Sequence, residues 1–221
     1  MELRNPAAFN RSVWFYDKLA HFIFRGAIRQ SQVGLLSFIP AQASVLLIGG
    51  GTGWILQDLA QLQLPLEITY LEASPGMLAQ ARRVAEQLPT HFLKIYFRPG
   101  TEATLKPDES FEVIFTPFVL DLYPEEQVWR MIQQLYAYLK PGGLWLLADF
   151  MIAPEQKGWS RWWQLKLAHL MYTFFGWVEG LTTTRLPDLR RLFRHLPVTW
   201  QHRQTYYKNF IQSHVFQKPR T

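Results

Sequence analysis

Across 221 residues, 23 lysines and arginines stand against 17 aspartates and glutamates, 48% of the residues are hydrophobic, and there is no cysteine. This composition points to one globular domain and excludes a disordered chain, a disulfide scaffold, thiolate zinc sites and cysteine nucleophiles. The first ten residues lack an apolar signal core, and the longest apolar stretch, 167–178, is broken by His169 and Thr173; a cytoplasmic location is expected, with no membrane span.

In chain order, residues 1–43 read as a helical cap, with Trp14, Phe15, Leu19 and Phe22 on one helical face. A buried strand, 44–48, stops at glycines, and a helix over about 53–62 leads to a second strand at 67–71. Ser74-Pro75 then opens a helix, because serine caps the first free amides and proline suits the first turn; its apolar face is Leu78, Ala81, Ala85 and Leu88. A third strand spans about 92–97 and a fourth 111–115. A helix from near Pro124 carries Val128, Ile132, Leu135 and Leu139 at helical spacing, Pro141-Gly142-Gly143 ends it, and a fifth strand covers 144–148. Such alternation predicts a parallel sheet with helices on both faces.

Past residue 150 the pattern changes. Residues 159–178 are helical in length and crowded with aromatics, 186–196 suggest a short basic helix, and 198–207 and 210–216 alternate as two antiparallel strands around Lys208-Asn209. The expected organisation is therefore a cap (1–43), a core (44–150), an aromatic and basic lid (151–197) and a terminal hairpin (198–221), all within one domain.

The charge is unevenly placed. Residues 1–44 sum to +3, residues 45–150 to −5 and residues 151–221 to +8. Basic flanks suit an anionic partner such as lipid headgroups, a phosphorylated substrate or nucleic acid, and equally a solvated surface.

The segment Val45-Leu46-Leu47-Ile48-Gly49-Gly50-Gly51-Thr52-Gly53 puts glycines where a strand turns into a helix, which lets backbone approach a ligand closely. A dinucleotide fingerprint would want glycine or alanine at 54, where Trp54 stands, so NAD and FAD are disfavoured. No lysine follows at phosphate-loop spacing, which disfavours nucleoside triphosphates. Glu72 ends the second strand 21 positions after Gly51, near the ~20-residue separation at which a carboxylate accepts from ribose hydroxyls. The ligand these features describe is a nucleoside without pyrophosphate.

These residues resemble the class I S-adenosylmethionine-dependent methyltransferases in four pieces. The pieces are Gly49-x-Gly51-x-Gly53 after strand one, Glu72 within Tyr70-Leu71-Glu72-Ala73-Ser74-Pro75-Gly76-Met77-Leu78, Pro107-Asp108-Glu109-Ser110-Phe111-Glu112-Val113-Ile114 entering strand four, and Leu139-Lys140-Pro141-Gly142-Gly143 before strand five. The resemblance covers about 44–150. It implies a Rossmann-like, doubly wound, mostly parallel seven-stranded sheet with a C-terminal antiparallel hairpin, and S-adenosylmethionine as cofactor. It implies a cofactor site at Gly49, Gly51, Thr52, Gly53, Glu72, Ala73, Met77, Thr101, Glu102, Thr116 and Phe118. The chain departs from the family at Leu47, where an acidic residue is common, and at Gly100-Thr101-Glu102, which lacks the usual Gly-Asp pair.

A sulfonium methyl is already activated, so its transfer needs chiefly positioning and exclusion of water. Should a base be needed, the candidates are Tyr16, His21, Asp121, His169 and Tyr172, each with an ordinary packing or capping role as its alternative. No cluster of histidines and carboxylates has metal-ligand spacing. After strand four the chain reads Thr116-Pro117-Phe118-Val119 rather than the Asn/Asp-Pro-Pro-Tyr of family members that methylate exocyclic amines, so nucleic acid is not the expected substrate. The aromatic lid, with Arg161 and Lys166 interspersed, suits a small apolar or aromatic acceptor or a peripheral lipid contact. Trp14-Phe15-Tyr16-Asp17-Lys18-Leu19-Ala20 ahead of the glycine loop is similar to quinone-biosynthesis methyltransferases, implying a quinone or lipid precursor. The alternatives are an RNA or protein methyltransferase using the basic flanks, and a nucleoside-binding protein without catalysis.

Overall fold

The computed structural model describes residues 26–89, 92–152 and 185–220, with Phe24, Gly158, residues 162–164, Lys166 and Leu167. A seven-stranded sheet is built from β1 (Ser44–Ile48), β2 (Leu66–Glu72), β3 (Leu93–Pro99), β4 (Phe111–Pro117), β5 (Leu139–Phe150), β6 (Thr199–Tyr206) and β7 (Ile211–Gln217). Its order is β3-β2-β1-β4-β5-β7-β6. The first five strands run parallel, and β7 pairs antiparallel with both β5 and β6.

Helices cover both faces because alternate strand residues point to opposite sides. On one face α1 (Ala27–Leu36), α2 (Ile55–Gln61) and α3 (Pro75–Glu86) bury Leu35, Leu56, Leu59 and Ala81 against Val45, Leu47, Ile68, Tyr70 and Phe115. On the other, α4 (Glu125–Tyr138) and α5 (Leu189–Arg194) bury Val128, Ile132, Leu135 and Phe193 against Leu46, Ile114, Trp145 and Phe216. The capping expectation holds at α3, where the Ser74 hydroxyl accepts from the Met77 amide and Pro75 opens the helix.

Two elements differ from the sequence reading. Strand β5 begins at Leu139, directly after α4, and runs through Pro141-Gly142-Gly143 rather than starting beyond it. The reason is pairing from the chain's far end: the Gly142 amide donates to Lys218 and Pro219, and the Lys218 amide donates back to Gly143. The 186–196 helix shortens to Leu189–Arg194, capped by the Asp188 side chain on the Arg191 amide. Of the expected cap, Trp14, Phe15, Leu19 and Phe22 lie outside the described residues, as does most of 159–178. Among the described residues no helix is long and apolar enough to cross a membrane.

Candidate functional site

The strand order reverses between β1 and β4, and in open α/β sheets ligands bind outside the carboxyl ends of the strands at such a point. Three loops meet there, and Glu72 joins them. Its Oε2 accepts from the Gly51 amide at 3.0 Å, its Oε1 accepts from the Ser74 amide at 2.8 Å, and its backbone carbonyl accepts from the Gly100 amide at 3.0 Å. Each carboxylate oxygen has two acceptor positions, so these bonds leave one on each for further donors. Burial pushes the Glu72 carboxyl above the ordinary range, and the amides of Ser74, Gly51 and Ala73 pull against that.

Gly51 is held from its other side as well. The hydroxyl of Tyr70, two residues before Glu72 on the same face of β2, donates to the Gly51 carbonyl at 3.0 Å. Tyr70 is fully buried, and burial raises its phenol well above the usual value. Leu47, at the position where the resemblance leads one to expect an acid, is buried in the apolar core. The loop is thus braced from β2 rather than β1.

The loop glycines serve different ends. A Cβ on Gly53 would stand 2.6 Å from the Ala81 Cα, so this glycine lets α2 and α3 pack closely. Its neighbour Trp54 is half-buried, packed on the core with the Arg29 guanidinium 5.8 Å from its ring centre. A Cβ on Gly51 would meet nothing within 4 Å. Gly51 therefore faces open space, with both of its polar groups pinned beneath.

Around this centre Thr52 and Met77 are half-buried and Ala73 is exposed. Thr101 and Glu102 start a short 3-10 turn, Glu102–Thr104, held from α4 by Gln134 Nε2 donating to the Glu102 carbonyl at 3.2 Å. The Arg98 guanidinium spans this loop to both oxygens of Glu109 at 2.9 and 2.5 Å and holds that carboxyl below its ordinary range. Thr116 stands apart: it is fully buried and its hydroxyl accepts from Trp145 Nε1 at 2.9 Å, so the side chain turns into the core.

After β4 the chain takes a left-handed step at Phe118, φ 52°. This puts Val119 Cγ2 2.2 Å from where a Cβ on Gly49 would lie, seating the turn directly on the loop's first glycine. The Phe118 ring meets Phe150 edge-on at 5.0 Å, and an aromatic cluster of Phe24, Phe150, Trp163, Tyr207 and Phe210 continues from there. Of the base candidates, Asp121 is buried in the short turn Leu120–Leu122, and Asp149, buried in β5, holds that turn by accepting from the Leu120 amide at 3.2 Å. Tyr16, His21, His169 and Tyr172 lie outside the described residues.

A family model described as a methyltransferase domain matches residues 45–143. All four sequence pieces that resemble the class I S-adenosylmethionine-dependent methyltransferases lie inside this match, which spans just under half of the chain. A carboxy-S-adenosyl-L-methionine synthase from Chromohalobacter salexigens is 30% identical over 91 residues, covering 41% of this chain and 33% of that protein. The chain thus spans a third or less of the curated relatives it matches. The 1,6-didemethyltoxoflavin-N1-methyltransferase of Burkholderia thailandensis, solved with 1,6-didemethyltoxoflavin and S-adenosylhomocysteine, superposes with a TM-score of 0.62 at 16% identity, covering 99% of this chain and 92% of that one. An O-methyltransferase family 2 protein from Planctomyces limnophilus, solved with apigenin, gives 0.64 at 17% identity over 90% and 61%. At such identities the likeness is one of fold.

S-adenosylmethionine is the cofactor of this methyltransferase family. The methyltransferase loop of this chain fits it on two observations: the open side of Gly51 admits a ligand against bare backbone, and Glu72 keeps an acceptor position on each oxygen.

Proposed function

We propose that this chain transfers a methyl group from S-adenosylmethionine to a small apolar or aromatic acceptor, such as a quinone or lipid precursor, in the cytoplasm. The observation that carries the reading is Gly51, fixed by Glu72 and Tyr70 and open on its third side. Glu72 would accept from the ribose hydroxyls, Gly49, Gly51, Thr52 and Gly53 would border the amino acid end, and Ala73, Met77, Thr101, Glu102 and Phe118 would flank the adenosyl group. The bound cofactor supplies an activated methyl on a sulfonium.

The chain's own contribution is placement and dryness. The aromatic rings beginning at Phe118 and Phe150 give an acceptor an apolar wall beside the loop, where water is displaced and a planar molecule stacks. Trp162, half exposed with Lys166 Nζ 5.8 Å from its ring centre, supports a peripheral lipid contact as part of the same proposal.

Incubating the chain with methyl-labelled cofactor and a whole-cell extract, then reading label in its small-molecule, lipid, RNA and protein fractions by mass spectrometry, tests this. Label in a small apolar compound supports the proposal. Label confined to RNA or protein, or no transfer with intact cofactor binding, contradicts it.

A further inference from the structure

We infer that α5 and β6 form a docking face for an anionic lipid bilayer, with Arg190, Arg194 and Arg203 set around the exposed indole of Trp200. The inference deepens the lipid contact proposed above and rests on that reading for its purpose, while the binding itself is independent of methyl transfer.

The charge is concentrated in one described segment. Residues 185–220 hold eight lysines and arginines and a single acid, Asp188. That acid is engaged at the start of α5, where its side chain accepts from the Arg191 amide. Arg191 itself turns toward α4 and pairs with Glu125. Leu189, Leu192 and Phe193 are buried beneath the helix. Arg190 and Arg194, four positions apart and so on one side of α5, flank β6, where the Arg190 guanidinium lies 5.9 Å from the Trp200 ring centre.

Strand β6 supplies the rest of the face. Trp200 pairs with Phe216 and Arg203 with His214. Phe216 and His214 stack with ring centres 5.6 Å apart on one face of β7, and residues opposite one another across strands share a face. Trp200 and Arg203 therefore stand on the same side of the sheet. Phe193 stacks on Phe216 at 4.3 Å, which makes that side the one α5 covers. Arg194 and Arg203 are exposed, and Trp200 keeps 36% of its surface in solvent.

An indole set among guanidiniums matches a membrane surface. Anionic headgroups attract the cations, tryptophan favours the headgroup level, and arginine stems cover apolar surface while their charge stays in water. A single-stranded nucleic acid would instead want a bare ring on which a base can stack. Trp200 already packs against His214 and Phe216 at 5.1 and 5.3 Å, with Arg190 over its ring. The face offers charge and an amphipathic edge rather than a stacking platform, and that combination favours lipid.

The test is flotation of the full chain with vesicles of phosphatidylcholine alone, or with about one-third phosphatidylglycerol, in about 0.1 M and then about 1 M salt. Wild type should bind the anionic vesicles about tenfold or more tightly than the neutral ones in low salt, and should lose most of that preference in high salt. Arg194→Gln combined with Arg203→Gln should weaken anionic binding by about tenfold or more, because each surface arginine contributes roughly fivefold. Arg82→Gln combined with Arg83→Gln removes the same charge from α3, across the sheet, and should change binding by less than about twofold. Urea midpoints check that each variant folds; should the first pair unfold the protein, Arg194→Gln alone should still weaken binding about fivefold. Equal binding to both vesicle types, or equal losses in the two paired variants, overturns the inference. So does a chain that ignores vesicles yet holds a uridine oligonucleotide through Arg194 and Arg203. Vesicle binding without any methyl transfer would refute the proposed function and leave this face standing.

Discussion

Glu72 and Gly51, 21 positions apart in the chain, meet through a 3.0 Å bond from the glycine amide to the carboxylate Oε2. Tyr70 closes the grip on the Gly51 carbonyl, so the loop is shaped before any ligand arrives. Such preorganisation lowers the ordering cost of binding, and it makes the carboxylate both a brace and a ligand contact.

Glu72→Gln tests that double role. Both carboxylate oxygens accept backbone amides, so the new NH2 group must face a donor with a donor. Affinity for S-adenosylhomocysteine should fall by about 1–3 kcal/mol, roughly 5- to 150-fold. Calorimetry showing unchanged affinity would remove Glu72 from the site.

The two glycines separate binding from folding. Gly53→Ala would push a Cβ into the Ala81 backbone at 2.6 Å and should cost about 2 kcal/mol or more in a urea unfolding curve. Gly51→Ala meets only the strain of its positive φ, about 1–2 kcal/mol. Its larger effect should be on cofactor affinity, because the methyl enters the open face. A Gly51→Ala protein that binds as wild type does would place the ligand elsewhere.

Tyr70→Phe deletes the hydroxyl that holds the Gly51 carbonyl while keeping the ring beneath Gly50. Stability should drop by about 0.5–1.5 kcal/mol, and cofactor affinity should fall with it. Denaturant midpoints and calorimetry on one preparation separate the two effects; a loss of stability with affinity unchanged would show the bond to be structural only.

Strands β1 to β4 were legible because runs such as Ser44–Ile48 are apolar, β-branched and bounded by turn residues. The glycine loop and Glu72 were legible because the chemistry fixes both residue type and spacing. Helix α1 was visible only as part of a leading segment: it buries Ser31 and Gln32, and the Ser213 hydroxyl donates to the Ser31 carbonyl at 2.6 Å, so polar contacts blur its apolar stripe. The full length of β5 depends on pairing with residues 75 or more positions away, which no local pattern encodes. Tyr70 and Asp149 read as strand interior, although an aspartate at the end of Leu144-Trp145-Leu146-Leu147-Ala148 is a costly group to bury and was the available signal.

His214 sets an acid limit on stability. It is fully buried in β7, packed with Trp200 and Phe216, and burial, aided by Arg203, Arg190 and His202, lowers its pKa to about 3. The unfolded chain takes this proton near pH 6.5, so the contribution is complete above about pH 6.5 and shrinks by ~1.4 kcal/mol per pH unit below it. His214→Phe should flatten that part of the profile in urea unfolding between about pH 4.5 and 7. The same slope in both proteins would clear His214 of the effect.

The most direct test is a crystal structure of the chain grown with S-adenosylhomocysteine. The account predicts both ribose hydroxyls within about 3.0 Å of the Glu72 carboxylate, with the ligand lying across the open side of Gly51. Ligand bound away from Glu72, or a loop that stays bare at saturating ligand, would contradict it.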